Sequence, residues 1–219
     1  MRWLSIEEMA DLAPLPDGYS YGRLSRGEVP AFIQAIKQWH PDIVVGAGSC
    51  YLREDFYHDK VFLDGEAERD IQVFLFKHDG RIVGMWSWER EPDTLSMYGR
   101  LMVIAPEHRN SKIASTAVAA AERLGRAMGA EYLYSVATLK HPYAQLATER
   151  AGFQLLGFMP GYDREVGEDG VIKRVYEAVY AMVLVPKERL LRPESKNLSP
   201  KAKALFELLF PAEDDSNVA

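Results

Sequence analysis

The chain is almost without cysteine: Cys50 is the single one in 219 residues. One thiol excludes an internal disulfide and any Cys/His metal cluster, so no metal is expected, and Cys50 reads first as a small buried apolar residue. An excess of basic charge is also missing. Lys and Arg number 26 against 32 Asp and Glu, for a formal net charge of −6. A surface that tracks nucleic-acid phosphates is usually basic, so generic nucleic-acid binding is disfavoured and only a local basic pocket is left. Long apolar runs are absent as well. No stretch reaches the ~20 apolar residues of a membrane helix, and the opening MRWLSIEEMADLAPLPDGY carries acids where a signal peptide needs an apolar core. The expectation is a protein of a reducing cytoplasm, with no membrane partner.

What is present suits one folded domain: 47% hydrophobic and 26% charged residues, enough for one core with an appended arm. Residues 1–18 read as an acidic lead-in ending in the turn-rich Pro14-Leu15-Pro16-Asp17-Gly18, and 187–219 as a charged arm. In that arm Ser199-Pro200 starts a short helix, and residues 212–219 read as a frayed tail. Between them, Tyr19 to Leu24 reads as a strand and Glu28 to Trp39 as an amphipathic helix stopped by Pro41. A short helix is expected around Tyr51–Tyr57. Ile71 to Phe76 and Ile82 to Trp88 read as a hairpin about Asp79-Gly80. Leu95 to Ile104 forms a third strand.

Lys112 to Met128 is the clearest helix, since Ile113, Ala117, Ala120, Ala121, Leu124 and Met128 share one face. Glu131 to Ala137 follows as a strand, and strand–helix–strand makes a crossover whose two strands are parallel. Pro142 to Ala151 is a second helix, and Gln154 to Met159 and Val175 to Val185 are closing strands. The fold class is α/β (α+β): a mixed, mostly antiparallel sheet with one central parallel βαβ crossover, flanked by helices.

The chemistry-bearing stretch runs from Leu101 through Met102, Val103, Ile104, Ala105 and Pro106 to Arg109, Asn110, Ser111, Lys112, Ile113 and Ala114. It is a strand that stops at proline, makes a short loop and enters a helix. Loop amides and a helix N-terminus then converge on one spot, with Arg109 and Lys112 beside it, as a pyrophosphate site requires. A plain strand–helix turn is the bland alternative.

Two local motifs and the order of elements resemble the GNAT superfamily of N-acetyltransferases over roughly residues 19–186. The first is Leu101-x-Val103, then Pro106 after one extra residue, then Arg109-Asn110-Ser111-Lys112-Ile113-Ala114, where the family writes Arg-x-x-Gly-x-Gly/Ala. The second is His141-x-x-Ala144, then Ala147-Thr148, then Gly152-Phe153. Lys112 stands for the first loop glycine, His141 for an asparagine and Thr148 for the tyrosine that often protonates the leaving thiolate.

The resemblance implies direct acyl transfer from acetyl-CoA, or another acyl-CoA, to an amine of a small molecule or peptide. The thioester would lie along strand 101–105 with the Val103 amide on its carbonyl, and the amides of Arg109 to Ala114 would hold the pyrophosphate. Glu89, His141 and Tyr143 are the candidates for proton transfer. His108 reads as a solvated loop residue. The acceptor pocket is expected between region 26–60 and the hairpin near 160–174, with Trp39, His40, Tyr51, Phe56, Tyr57, Trp86 and Trp88 supplying aromatic surface. Two alternatives stand beside this: an acyl-CoA-binding scaffold without turnover, and an enzyme acting on a macromolecule or a carrier-bound acyl donor. The arm 187–210 would be a docking element, a homodimer contact, or a segment packed on its own domain.

Overall fold

The computed structural model describes residues 1–211, in two units, Met1–Leu184 and the described residues from Val185 onward. The tail expected over 212–219 lies outside the described residues. In the first unit a seven-stranded sheet has the order β1-β2-β3-β4-β5-β7-β6. The strands are β1 (Tyr19–Arg23), β2 (Ile71–His78), β3 (Arg81–Glu91), β4 (Ser96–Ile104), β5 (Tyr132–Thr138), β6 (Gln154–Val166) and β7 (Ile172–Val183). Every pairing is antiparallel except β4–β5, the crossover expected from the sequence. Asp79 and Gly80 make the β2–β3 turn with φ of 48° and 75°, as an Asp-Gly hairpin demands.

Helices cover both faces, which is why the first six residues of β2 are buried without alternation. On one face Val73, Leu75, Met85 and Val103 pack with Phe32, Ile33 and Ile36 of α2 (Val29–Trp39) and with Tyr57 of α3 (Glu54–Lys60). On the other, Phe74, Phe76, Trp86 and Trp88 pack with the crossover helices and with the N-terminal segment. That segment is structured: α1 (Ile6–Leu12) carries a Ser5/Glu8 capping box, Met9 is fully buried, and the Trp3 indole donates to the Arg69 carbonyl at 2.8 Å.

The crossover helix is not continuous. It divides into α4 (Ile113–Ala119) and α5 (Ala121–Met128), because the Ala120 amide reaches back only to Ala117, at 3.0 Å. Ala117, Ala120 and Ala121 still bring it close to the sheet. At Gly125 the approach is closest: a Cβ there would stand 2.8 Å from both Leu133 and Leu184 side chains. After β5 comes α6 (Tyr143–Arg150). Strands β6 and β7 run farther than the sequence indicates, and β6 bulges between Met159 and Asp163. In the second unit α7 (Pro200–Leu209) is capped by the Ser199 hydroxyl, and Arg192 lies over the Phe206 ring at 4.9 Å.

Candidate active site

The parallel β4–β5 ladder runs only from Ser96/Tyr132 to Gly99/Ser135, although β4 continues to Ile104 and β5 to Thr138. Beyond Gly99 the two strands part, and β4 is paired on its β3 side alone. A bulge opens the gap: Gly99 faces Trp88 and Leu101 faces Ser87, so Arg100 is an extra residue on β4.

The ladder then decides which amides face the gap. The Ala105 amide donates to the Val83 carbonyl at 2.8 Å. Bonded and non-bonded pairs alternate in an antiparallel ladder. Val103/Met85 and Leu101/Ser87 are therefore bonded pairs, while Met102/Trp86 and Ile104/Gly84 are not. The amides of Met102 and Ile104 point into the gap, and that of Val103 points at β3. The Val103 amide, which the sequence reading set on the thioester carbonyl, is directed at β3 instead.

In the loop, Pro106–His108 forms a 3-10 turn and Lys112 adopts φ +69°, ψ −1° as the residue before α4. The Arg109 amide bonds Pro106, that of Ser111 bonds His108, and that of Ile113 meets the Ser111 hydroxyl. Among the described residues the amides of Asn110, Lys112, Ala114 and Ser115 have no such acceptor, and they converge at the start of α4. The Arg109 side chain is a clip rather than a free charge. It donates to the Trp39 carbonyl at 2.8 Å and to the Ile104 carbonyl at 3.4 Å, tying the C-terminus of α2 to the end of β4. Lys112 is exposed. His108 is not a solvated residue: it is half-buried, its Nδ1 pairs with the Tyr19 hydroxyl at 2.8 Å, and its ring lies 5.1 Å from that of His78.

Glu89 stands beside Tyr98 on β4 and forms an ion pair with Arg100, the bulged residue. Burial works against the Arg100 charge, but Tyr51 and Glu89 outweigh it and hold the guanidinium above its ordinary range. The same guanidinium reaches Cys50 Sγ at 3.9 Å. Burial pushes the Cys50 thiol up and the Tyr51 phenol to about 12, and the Tyr51 hydroxyl donates to Ser87 at 2.5 Å. Tyr98 and Tyr134 stack at 4.9 Å, and burial, with Tyr162 beside it, also raises Tyr98. The Tyr134 hydroxyl donates to Glu91 at 2.6 Å.

The region 42–50 and the β6–β7 hairpin do meet. The Ala47 amide donates to Asp163 Oδ1 at 2.7 Å, and Lys140 bridges Asp42 at 3.8 Å and Glu165 at 2.9 Å. Tyr51, Tyr57, Trp86 and Trp88, expected as pocket surface, instead fill core; the two tryptophans lie on the opposite face. The His141 and Tyr143 rings lie 5.0 Å apart, tilted by 39°, past the end of β5, and Tyr143 is 74% exposed. Among the described residues no contact joins them to Glu89. The Thr148 hydroxyl is spent on the Ala144 carbonyl, 2.8 Å away within its own helix.

Sequence reasoning missed Glu177. It is 6% exposed on β7, and burial, followed by Asp163 and Glu165, pushes its carboxyl up to about 7, with Lys140 opposing. The turn-free alternation around it carries no motif that would have singled it out.

The fold is similar to that of several solved structures. Spermidine N-acetyltransferase SpeG of Vibrio cholerae, in a mutant form, superposes with a TM-score of 0.60 at 14% identity, over 77% of this chain and 95% of that one. Ribosomal-protein-alanine N-acetyltransferase of Brucella melitensis gives 0.59 at 14%, over 75% and 99%. The ribosomal L7/L12 α-N-protein acetyltransferase RimL in complex with coenzyme A gives 0.58 at 14%, over 78% and 97%. At these identities the likeness establishes the fold. No curated protein sequence matches the chain, and no helix among the described residues is long and apolar enough to cross a membrane. The model of the acetyltransferase (GNAT) family matches residues 34–153, more than half of the chain, which takes in the gap and the whole amide-lined loop. The chain therefore belongs to the GNAT acetyltransferase family, and is an acyltransferase.

Proposed function

We propose that this enzyme moves the acetyl group of acetyl-CoA directly to an amine of a small molecule or peptide. The observation that carries the reading is the gap between β4 and β5, with two unpaired β4 amides facing into it. The thioester carbonyl takes the Met102 amide, a donor worth about 3–4 kcal/mol in the transition state. The Ile104 amide bonds the pantetheine arm, with Leu101 and Val103 backing the strand from the second face. The amides of Asn110, Lys112 and Ala114 take the pyrophosphate; Arg109, Ser111 and Ile113 shape that loop. Glu89 with Arg100, and the Tyr98/Tyr134 stack, orient the acceptor, while His141 and Tyr143 sit at its entrance. Residues 19–186 form the catalytic domain, 1–18 its lead-in and 187–219 an arm; the enzyme works in the cytoplasm, where Cys50 stays reduced.

Thermal unfolding with acetyl-CoA, free CoA and ATP tests this. A ligand at 100 times its dissociation constant stabilises by about 2.7 kcal/mol, a rise of roughly 5–11 °C for a chain of this size. A rise with both CoA species but not ATP supports the reading, and CoA-thiol release with spermidine or a serine-initiated peptide then tests transfer. No shift at millimolar acetyl-CoA refutes it.

A further inference from the structure

We propose that Glu177 is the base that takes the proton an ammonium acceptor must lose before it attacks the thioester, a proposal that rests on the acetyltransferase reading. Its place in the sheet carries the argument. Glu177 pairs with Thr138 on β5 and with Met159 on β6. Its chain neighbour Ala178 and then Tyr180 belong to the core that holds Trp86 and Trp88, so Glu177 faces the opposite side, that of Glu89, Tyr98 and Tyr134. Extending the β4–β5 register from Gly99/Ser135 sets Thr138 at the level of Met102. Glu177 thus stands at the height of the amide that faces the thioester carbonyl, next to the strand that forms the far wall of the gap.

The residue is 6% exposed, and among the described residues its carboxyl has no hydrogen bond or ion pair. Its oxygens are not among the atoms sealed from solvent, so water can reach the carboxyl and carry a proton to it. The charged groups around it are accounted for. Asp163 accepts from the Ala47 and Arg164 amides, each at 2.7 Å, and Glu165 is held by Lys140 at 2.9 Å. Lys140 also reaches Asp42. Burial holds His40, near these groups, below its ordinary range, toward the neutral form. Glu89, by contrast, is occupied by Arg100. The raised affinity of Glu177 for a proton, with its midpoint at about 7, matches what a general base needs at neutral pH.

The step balances as follows. The acceptor R–NH3+ gives one proton, through water, to the Glu177 carboxylate. The freed nitrogen lone pair forms the N–C bond and the C–S bond breaks. The second nitrogen proton leaves with the thiolate as CoA–SH, so the absent tyrosine at Thr148 is not required. Glu177 returns its proton to solvent.

The test uses Glu177→Gln and Glu177→Asp in the full chain, assayed by CoA-thiol release with spermidine and a serine-initiated peptide from pH 5.5 to 9. Acetyl-CoA thermal shift is read on the same proteins. The expected result is a loss of about 100-fold or more in kcat/KM for the Gln variant. Its acetyl-CoA shift stays intact, the rate limb near pH 7 disappears, and the Asp variant recovers part of the rate. A Gln variant within threefold of wild type, with the limb retained, overturns the assignment. A wild-type protein without an acetyl-CoA shift overturns the acetyltransferase reading itself. Wild-type binding with no transfer to either amine sinks the base assignment and leaves coenzyme binding standing.

Discussion

Lys112 is where family sequence and local physics disagree most openly, and replacing it by glycine separates two effects. Its φ of +69° lies in the left-handed region, which costs an ordinary L-residue about 1–2 kcal/mol. Glycine is free of that cost but loses roughly 0.5–1 kcal/mol more backbone entropy on folding. Lys112→Gly is therefore expected to stabilise by about 0.5–1 kcal/mol, or roughly 1–4 °C in Tm. Lys112→Ala keeps the strain and removes the same charge, so its stability should stay at or below wild type. If the Lys112 ammonium meets a CoA phosphate, both variants should weaken acetyl-CoA binding to the same degree, about fivefold for one exposed charge-assisted contact of ~1 kcal/mol. Differential scanning calorimetry with and without acetyl-CoA reads both quantities. A glycine variant no more stable than the alanine one would refute the strain argument. A glycine variant that binds more tightly than wild type would show that backbone approach, not charge, limits the phosphate site.

Three other outcomes are expected. With its folded pKa raised from 4.5 to about 7, Glu177 contributes stability that is full below pH ~4.5 and is lost as pH rises through 7. Glu177→Gln should therefore gain up to about 3 kcal/mol over wild type at pH 8 and nothing at pH 4, and parallel urea curves at both pH values would contradict this. A Cβ at Gly84 would meet the Val103 carbonyl oxygen at 2.7 Å and Ile104 Cδ1 at 2.8 Å. Gly84→Ala should then cost about 1–3 kcal/mol and lower kcat by shifting the Met102 amide; an unchanged kcat would contradict the amide assignment. Arg109→Ala frees two carbonyls, and should destabilise by about 1 kcal/mol while speeding amide exchange across 106–112; exchange no faster than in wild type would show that the clip is idle.

Much of the sheet was legible because its signals are local. Asp79-Gly80 specifies a hairpin by backbone conformation, and the apolar spacing from Ile113 to Met128 specifies a helix that packs on one face. The loop 106–114 was legible for the same reason, since strand, proline and helix start adjoin in the chain. The site's finer facts are long-range. Arg109 looks like a phosphate ligand until Trp39, 70 positions away, takes its guanidinium. Which amides face the gap depends on parity, and parity depends on the Arg100 bulge. Glu177 gains meaning only from its partners Thr138 and Met159, neither of which marks it in sequence.

The hydrogen bond from Ala47 to Asp163 spans 116 positions, and this bears on the order in which the enzyme comes together. Closing so long a loop is entropically slow. The turn and helix start from Pro106 to Thr116 take their backbone hydrogen bonds from neighbouring chain, though the Arg109 clip reaches back to Trp39. The contact of Ala47 with Asp163 waits for the β6–β7 hairpin, so a nascent or refolding chain is expected to order the loop first and that contact last. Exchange protection appearing at Ser111 and Thr116, whose amides bond His108 and Lys112, before Ala47 would record that sequence.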